Sequence, residues 1–100
     1  MQLNSQQLSD IQDYFRKNPI KKAFLFGSRV RNEAREESDF DILVELDRSK
    51  PIGLRFLRMR LDLEQILHHK VDLVTDFSLN RHIRPYILKD LQLIYEQHSQ

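Results

Sequence analysis

The chain has 100 residues, no cysteine and no tryptophan, two glycines, and 16 Lys plus Arg against 15 Asp plus Glu, a formal charge of +1. This length is expected to form a single domain, residues 1–100, around one modest core. The missing cysteines exclude a disulfide scaffold, a thiolate metal site and a thiol nucleophile. The balanced charge gives no bulk pull toward nucleic acid or membrane. Ordinary glycine usage is roughly 7%, so Gly27 and Gly53 are expected where little else serves.

Residues 1–10 are polar and lack the apolar run of a signal peptide. No stretch approaches the ~20 apolar residues of a membrane span, so a cytoplasmic location is expected. Leu8, Ile11 and Phe15 fall at helical spacing within residues 5–17, with Asn4 or Ser5 as cap and Pro19 just past the end. Residues 20–26 end in an apolar run suited to a buried strand, which Gly27 stops. Residues 28–34 can form a short helix, and residues 40–46 read as a second strand. A helix is expected over 53–68, a third strand over 70–75 and a last helix over 82–97, with Pro85 in or near its first turn. The sum is an α/β (α+β) chain: a small mixed β-sheet of about three strands packed with about four helices. The 53–68 crossover is long enough to join parallel strands, and the short link between the first two strands suits an antiparallel pair.

Three features carry chemistry. In Phe26-Gly27-Ser28, glycine allows a sharp turn and close approach of a ligand, and Ser28 opens a helical turn whose N–H groups and hydroxyl can hold a phosphate; a glycine that merely ends a strand is the plainer alternative. In Ser38-Asp39-Phe40-Asp41, alternation points Asp39 and Asp41 to one face, roughly 6.7 Å apart at Cα. Two like charges there are costly without a cation; a turn-capping Asp39 beside a hydrated Asp41 explains one of them more comfortably than two. Asp72, inside Lys70-Val71-Asp72-Leu73-Val74, breaks an apolar strand, unless that strand is an edge with Asp72 facing water. If the third strand neighbours the second, three carboxylates converge on hard cations. Mg²⁺ takes oxygen ligands and is shared between carboxylates and substrate phosphates.

Gly27-Ser28, ten intervening residues, then Asp39-Phe40-Asp41 resembles the Gly-Ser-x10-Asp-x-Asp signature of the nucleotidyltransferase superfamily that includes DNA polymerase beta. The stretch from Phe26 to Val44 is similar to its minimal nucleotidyltransferase branch (MNT), and Asp72 falls where that branch carries its third carboxylate. The resemblance spans about residues 20–76. It implies the nucleotidyltransferase fold and a centre of Asp39, Asp41 and Asp72 holding Mg²⁺. It also implies that Gly27 and Ser28 cradle the ATP triphosphate, that Arg29 beside them pairs with a phosphate or is a solvated helix arginine, and that Asp72 helps activate the attacking hydroxyl. It further implies a partner: MNT proteins pair with HEPN-domain RNase toxins and, as antitoxins, transfer AMP from ATP to a toxin tyrosine.

Arg31 and Arg35 alternate with Glu33, Glu36 and Glu37 and read as a solvated face. Helix 53–68 carries two apolar stripes: Phe56, Met59, Leu63 and Ile66/Leu67, and, on another side, Leu54, Leu57 and Leu61. Helix 82–97 likewise has Ile83, Ile87, Leu91 and Ile94 on one side, with Leu88, Leu93 and Tyr95 spilling around. The surplus stripes either bury against each other or form a hetero-oligomeric interface through 53–68 or 82–97. His68 and His69, adjacent in sequence, cannot chelate together as an i, i+4 pair would. The +1 charge argues against a primer–template polymerase and direct nucleic-acid binding. The leading reading is an Mg²⁺-dependent protein adenylyltransferase antitoxin. An antitoxin acting by binding alone, and nucleotidyl transfer to RNA or a small molecule, are the alternatives.

Overall fold

The computed structural model describes residues 3–31, 39–47, 49–75 and 89–97. The first helix, α1 (Ser5–Arg16), begins with a reciprocal cap: the Asn4 side chain accepts from the Gln7 N–H at 2.7 Å, and Gln7 Oε1 accepts from the Asn4 N–H at 3.1 Å. Two of the helix's orphan donors are satisfied in this way. Its Ile11 and Phe15 are fully buried. Pro19 then turns the chain into β1 (Ile20–Phe26).

A single 3-10 turn, Gly27–Arg29, follows β1, and the strand β2 (Phe40–Leu46) returns antiparallel to it. The short helix expected over 28–34 is thus a tight turn as far as it is described, and residues 32–34 lie outside the described residues. Helix α2 (Arg55–Leu67) then carries the chain to β3 (Val71–Thr75), which lies parallel to β2. A parallel neighbour requires such a crossover. Gly53, at φ +48°, supplies the turn before α2, and His68, in the left-handed region at φ 56°, ends the helix.

The last element corrects the sequence reading. Of the expected 82–97 helix, residues 82–88 lie outside the described residues, but Gln92–Glu96 form a strand, β4, antiparallel to β1. Among the described residues the sheet therefore has four strands, in the order β3-β2-β1-β4. Without β4, one edge of β1 would leave a row of backbone groups unpaired. A register shift between Ala23 and Phe24 puts consecutive Ile94 and Tyr95 both in buried positions. That bulge erases the period-2 pattern by which a strand is read.

Both helices pack on one face of the sheet. Met59, Leu63 and Leu67 of α2 join Ile11 and Phe15 of α1 over Ala23, Leu25, Phe40, Ile42, Val44, Val71 and Leu73. On the opposite face Phe26 and Leu43 form a smaller cluster with Phe24, Val74 and Leu91. The second stripe of α2 is not buried against another helix: Leu54, Leu57 and Leu61 are exposed. No helix among the described residues is long and apolar enough to cross a membrane.

Candidate functional site

Strand alternation places the acidic residues. Phe40, Ile42 and Val44 point to the helices, so Asp41 points to the other face, and Val71 and Leu73 do the same for Asp72. The register pairs Phe26 with Asp41 and Asp41 with Asp72, a row across three strands at the mouth of the β1 turn. The parallel pair sets the Asp41 and Asp72 backbones side by side, roughly 4.8 Å apart. Asp39 precedes β2 and is exposed. The edge alternative for Asp72 holds in part: β3 is an edge strand and Asp72 is exposed, but its register neighbour is Asp41.

The electrostatic penalty falls on the middle member. Burial pushes the Asp41 carboxyl up to about 6, aided by the negative charges of Asp72 and Asp39 and opposed by Arg31 and Arg29. A group so placed releases its proton reluctantly unless a cation arrives.

Gly27 abuts this carboxylate. It has φ +80°, and a Cβ built on it would collide with Asp41 Oδ2 and lie 3.1 Å from its Cγ. The glycine thus serves two needs at once, a left-handed turn and the close approach of Asp41. Ser28 follows, half-buried in the 3-10 turn.

Arg29 is buried at 7% exposure, its guanidinium 3.8 Å from the Phe40 ring centroid. Burial lowers its pKa, and the charges of Asp39 and Asp41 act in the opposite direction. His69 meets the Phe40 ring edge-on, with 5.3 Å between ring centroids. The two histidines thus have packing and helix-ending positions.

Two residues escape a reading of the sequence. Phe40 lies between two acids in sequence, and its ring carries the Arg29 guanidinium. Arg31, read as part of a solvated face, forms an ion pair with Asp90 at 2.5 Å and lowers the Asp41 pKa. Its partner is 59 positions away, so no local pattern signals it.

Among the described residues, no three His, Asp or Glu side chains converge closely enough to enclose a metal ion by themselves. The donor set nevertheless fits a hard divalent cation. It consists of carboxylate oxygens, and burial together with two acidic neighbours disfavours the bare charge on its central member. Mg²⁺ is ordinarily bound by one or two carboxylates, waters and substrate phosphates rather than by an all-protein cage.

Comparison with known proteins follows the same lines. Residues 9–100 match the family described as "Polymerase beta, Nucleotidyltransferase". The chain is similar to the protein adenylyltransferase MntA of Thermococcus cleftensis, 39% identical over 72 residues, which cover 72% of this chain and 72% of that protein. In structure it is similar to a toxin–antitoxin crystallised with AMP-PNP, at TM-score 0.75 and 20% identity, covering 91% of this chain and 74% of that one. It is also similar to the complex of tri-AMPylated Shewanella oneidensis HEPN toxin with MNT antitoxin, at TM-score 0.68 and 19% identity, covering 91% and 71%. These two likenesses carry the fold. The family match over most of the length, with the Gly27-Ser28 turn set against the Asp41–Asp72 pair, establishes that the chain belongs to the polymerase beta-type nucleotidyltransferases, in their minimal MNT branch.

Proposed function

We propose that this nucleotidyltransferase moves AMP from ATP to a protein hydroxyl, a tyrosine of a HEPN-type RNase toxin, and so acts as the antitoxin of the pair. The observation that carries the reading is the contact of Gly27 with the Asp41 carboxylate, with Asp72 in register beside it. It brings the turn suited to phosphates onto the acids suited to a cation. The name of the relative MntA and the AMPylated toxin in the Shewanella complex support a protein acceptor. The AMP-PNP complex supports an adenine nucleotide.

In this reading Asp41 and Asp72, with Asp39 beside them, would hold Mg²⁺ jointly with water and the nucleotide phosphates, and the ion when bound would supply positive charge to the reacting groups. Gly27 leaves room for the triphosphate, and the Ser28 hydroxyl and turn N–H groups donate to it. Asp72, the exposed carboxylate, accepts the proton as the tyrosine oxygen bonds to the α-phosphorus and pyrophosphate departs. Arg29, stacked on Phe40, serves these acids by balancing the charge of Asp39 and Asp41.

The test is transfer of label from α-labelled ATP, with Mg²⁺, to a HEPN-domain protein, sought first among the products of the genes adjacent to this chain's own. The expected outcome is labelling by the wild type and a loss of roughly 100-fold or more in Asp39→Ala/Asp41→Ala. Labelling that survives the double substitution overturns the reading. The exposed leucines of α2 favour a second reading, neutralisation by binding alone. It is distinguished by asking whether a triple-aspartate variant still silences the toxin at equal stoichiometry.

A further inference from the structure

The catalytic reading leaves one surface of α2 unused. Leu54, Leu57 and Leu61 are 88%, 56% and 49% exposed. They lie at i, i+3 and i+7, a ridge about 10 Å long on one side of the helix. Arg55 and Arg58 edge this ridge and line the same shallow groove. The acids of α2 are committed within the chain. Asp62 accepts the Tyr14 hydroxyl at 2.6 Å, and Glu64 accepts the Val71 N–H at 3.0 Å with Arg60 3.5 Å away. Arg58 sits only at the edge of Asp62, 3.9 Å off, with its side chain 78% exposed. The outward face is therefore apolar with a basic edge.

We propose that this ridge docks an amphipathic helix of the partner protein, one whose apolar stripe is bordered by Asp and Glu. The inference rests on the proposed function for the existence of a protein partner, and adds where and by what chemistry it binds. Charge decides the occupant. A second copy laid antiparallel on the same ridge would bring Arg55 and Arg58 of both copies together, with no uncommitted acid on α2 to meet them. A lipid surface is better matched by a longer basic face with aromatic anchors than by three leucines.

The experiment titrates the HEPN-domain protein used in the labelling test into the full chain and into two variants, Leu57→Glu/Leu61→Glu and Arg55→Glu/Arg58→Glu. Both substitutions are on exposed side chains, so thermal midpoint and Mg²⁺–AMP-PNP binding should match the wild type. The leucine pair is expected to raise Kd at least about tenfold at any salt. The arginine pair should raise it mainly at low ionic strength, where the wild type binds most tightly. If both variants bind like the wild type while the wild type labels the HEPN protein, the docking ridge is refuted and the transferase reading stands. If the wild type neither binds nor labels, both fail. A wild-type dimer dissociated by the leucine pair assigns the ridge to a second copy. Wild-type binding to phosphatidylserine vesicles that the leucine pair abolishes assigns it to lipid. Either result overturns the proposal.

Discussion

Gly27 and Asp41 are best understood as one unit. At φ +80° an L-side chain costs about 1–2 kcal/mol by itself. Gly27→Ala adds a Cβ where the Asp41 carboxylate sits, so the chain should lose at least about 2 kcal/mol or displace Asp41. Urea denaturation together with the transfer assay reports both, and a variant of wild-type stability and activity would contradict the contact. Asp41 has the opposite energetics. Its pKa rises from 3.8 unfolded to about 6 folded, so the folded state holds the proton longer. Below about pH 4 both states are protonated and no penalty exists. Between about 4 and 6 stability falls as pH rises, and above 6 the penalty is fully present. Two pH units correspond to about 2.7 kcal/mol, and solvent reaching this half-buried group reduces that to the order of 1 kcal/mol. Asp41→Asn should therefore raise unfolding stability by about that amount at pH 7.5 and by nothing near pH 4, while abolishing transfer. Gly27 and Asp41 stood out because of where they stand, a left-handed turn and a half-buried strand position, whereas Ser28, Asp39 and Asp72 stood out only by their spacing from them. Arg31 did not, because its meaning depends on Asp90.

At the scale of elements, one polar contact adds to the apolar packing that joins the helices. Tyr14 of α1 donates its hydroxyl to Asp62 of α2 at 2.6 Å. Burial and the nearby carboxylate raise the Tyr14 pKa above its ordinary value, which keeps the hydroxyl a donor. Tyr14→Phe should cost about 1–2 kcal/mol, the scale of a hydrogen bond to a charged acceptor, read as a lower urea midpoint with an unchanged m-value. α1 also reaches the last strand: Gln12 Nε2 donates to the Ile94 carbonyl at 2.9 Å. The strand β4 was misread because apolar Leu91 and Ile94 fit a helical face as well as they fit a bulged strand. The choice lay with the open edge of β1, a property of the sheet and not of residues 92–96.

For the whole molecule, the proposed site carries an electrostatic cost that a ligand should offset. The core lies under α1 and α2, and the acids stand on the other face, where they repel one another. A non-hydrolysable ATP analogue with Mg²⁺ at about 100 times its Kd should stabilise the fold by about 2.7 kcal/mol. Calorimetry should show the corresponding rise in Tm for the wild type and its absence in Asp39→Ala/Asp41→Ala. An equal rise in both would place the nucleotide elsewhere.

By itself the sequence determined the strands β1 to β3, the helices α1 and α2, a crossover long enough for a parallel pair, and the positions of Asp41 and Asp72 within strands. Each depends on short-range patterns: strand alternation, helical spacing, a glycine where a turn must be left-handed. Only the tertiary structure decided the fourth strand, the Asp41–Asp72 register, the burial of Arg29 on Phe40, the Arg31–Asp90 pair and the exposure of Leu54, Leu57 and Leu61. Each of these is a relation between segments distant in sequence. Their energies come from edge pairing, desolvation and charge proximity, which exist only after the sheet has assembled.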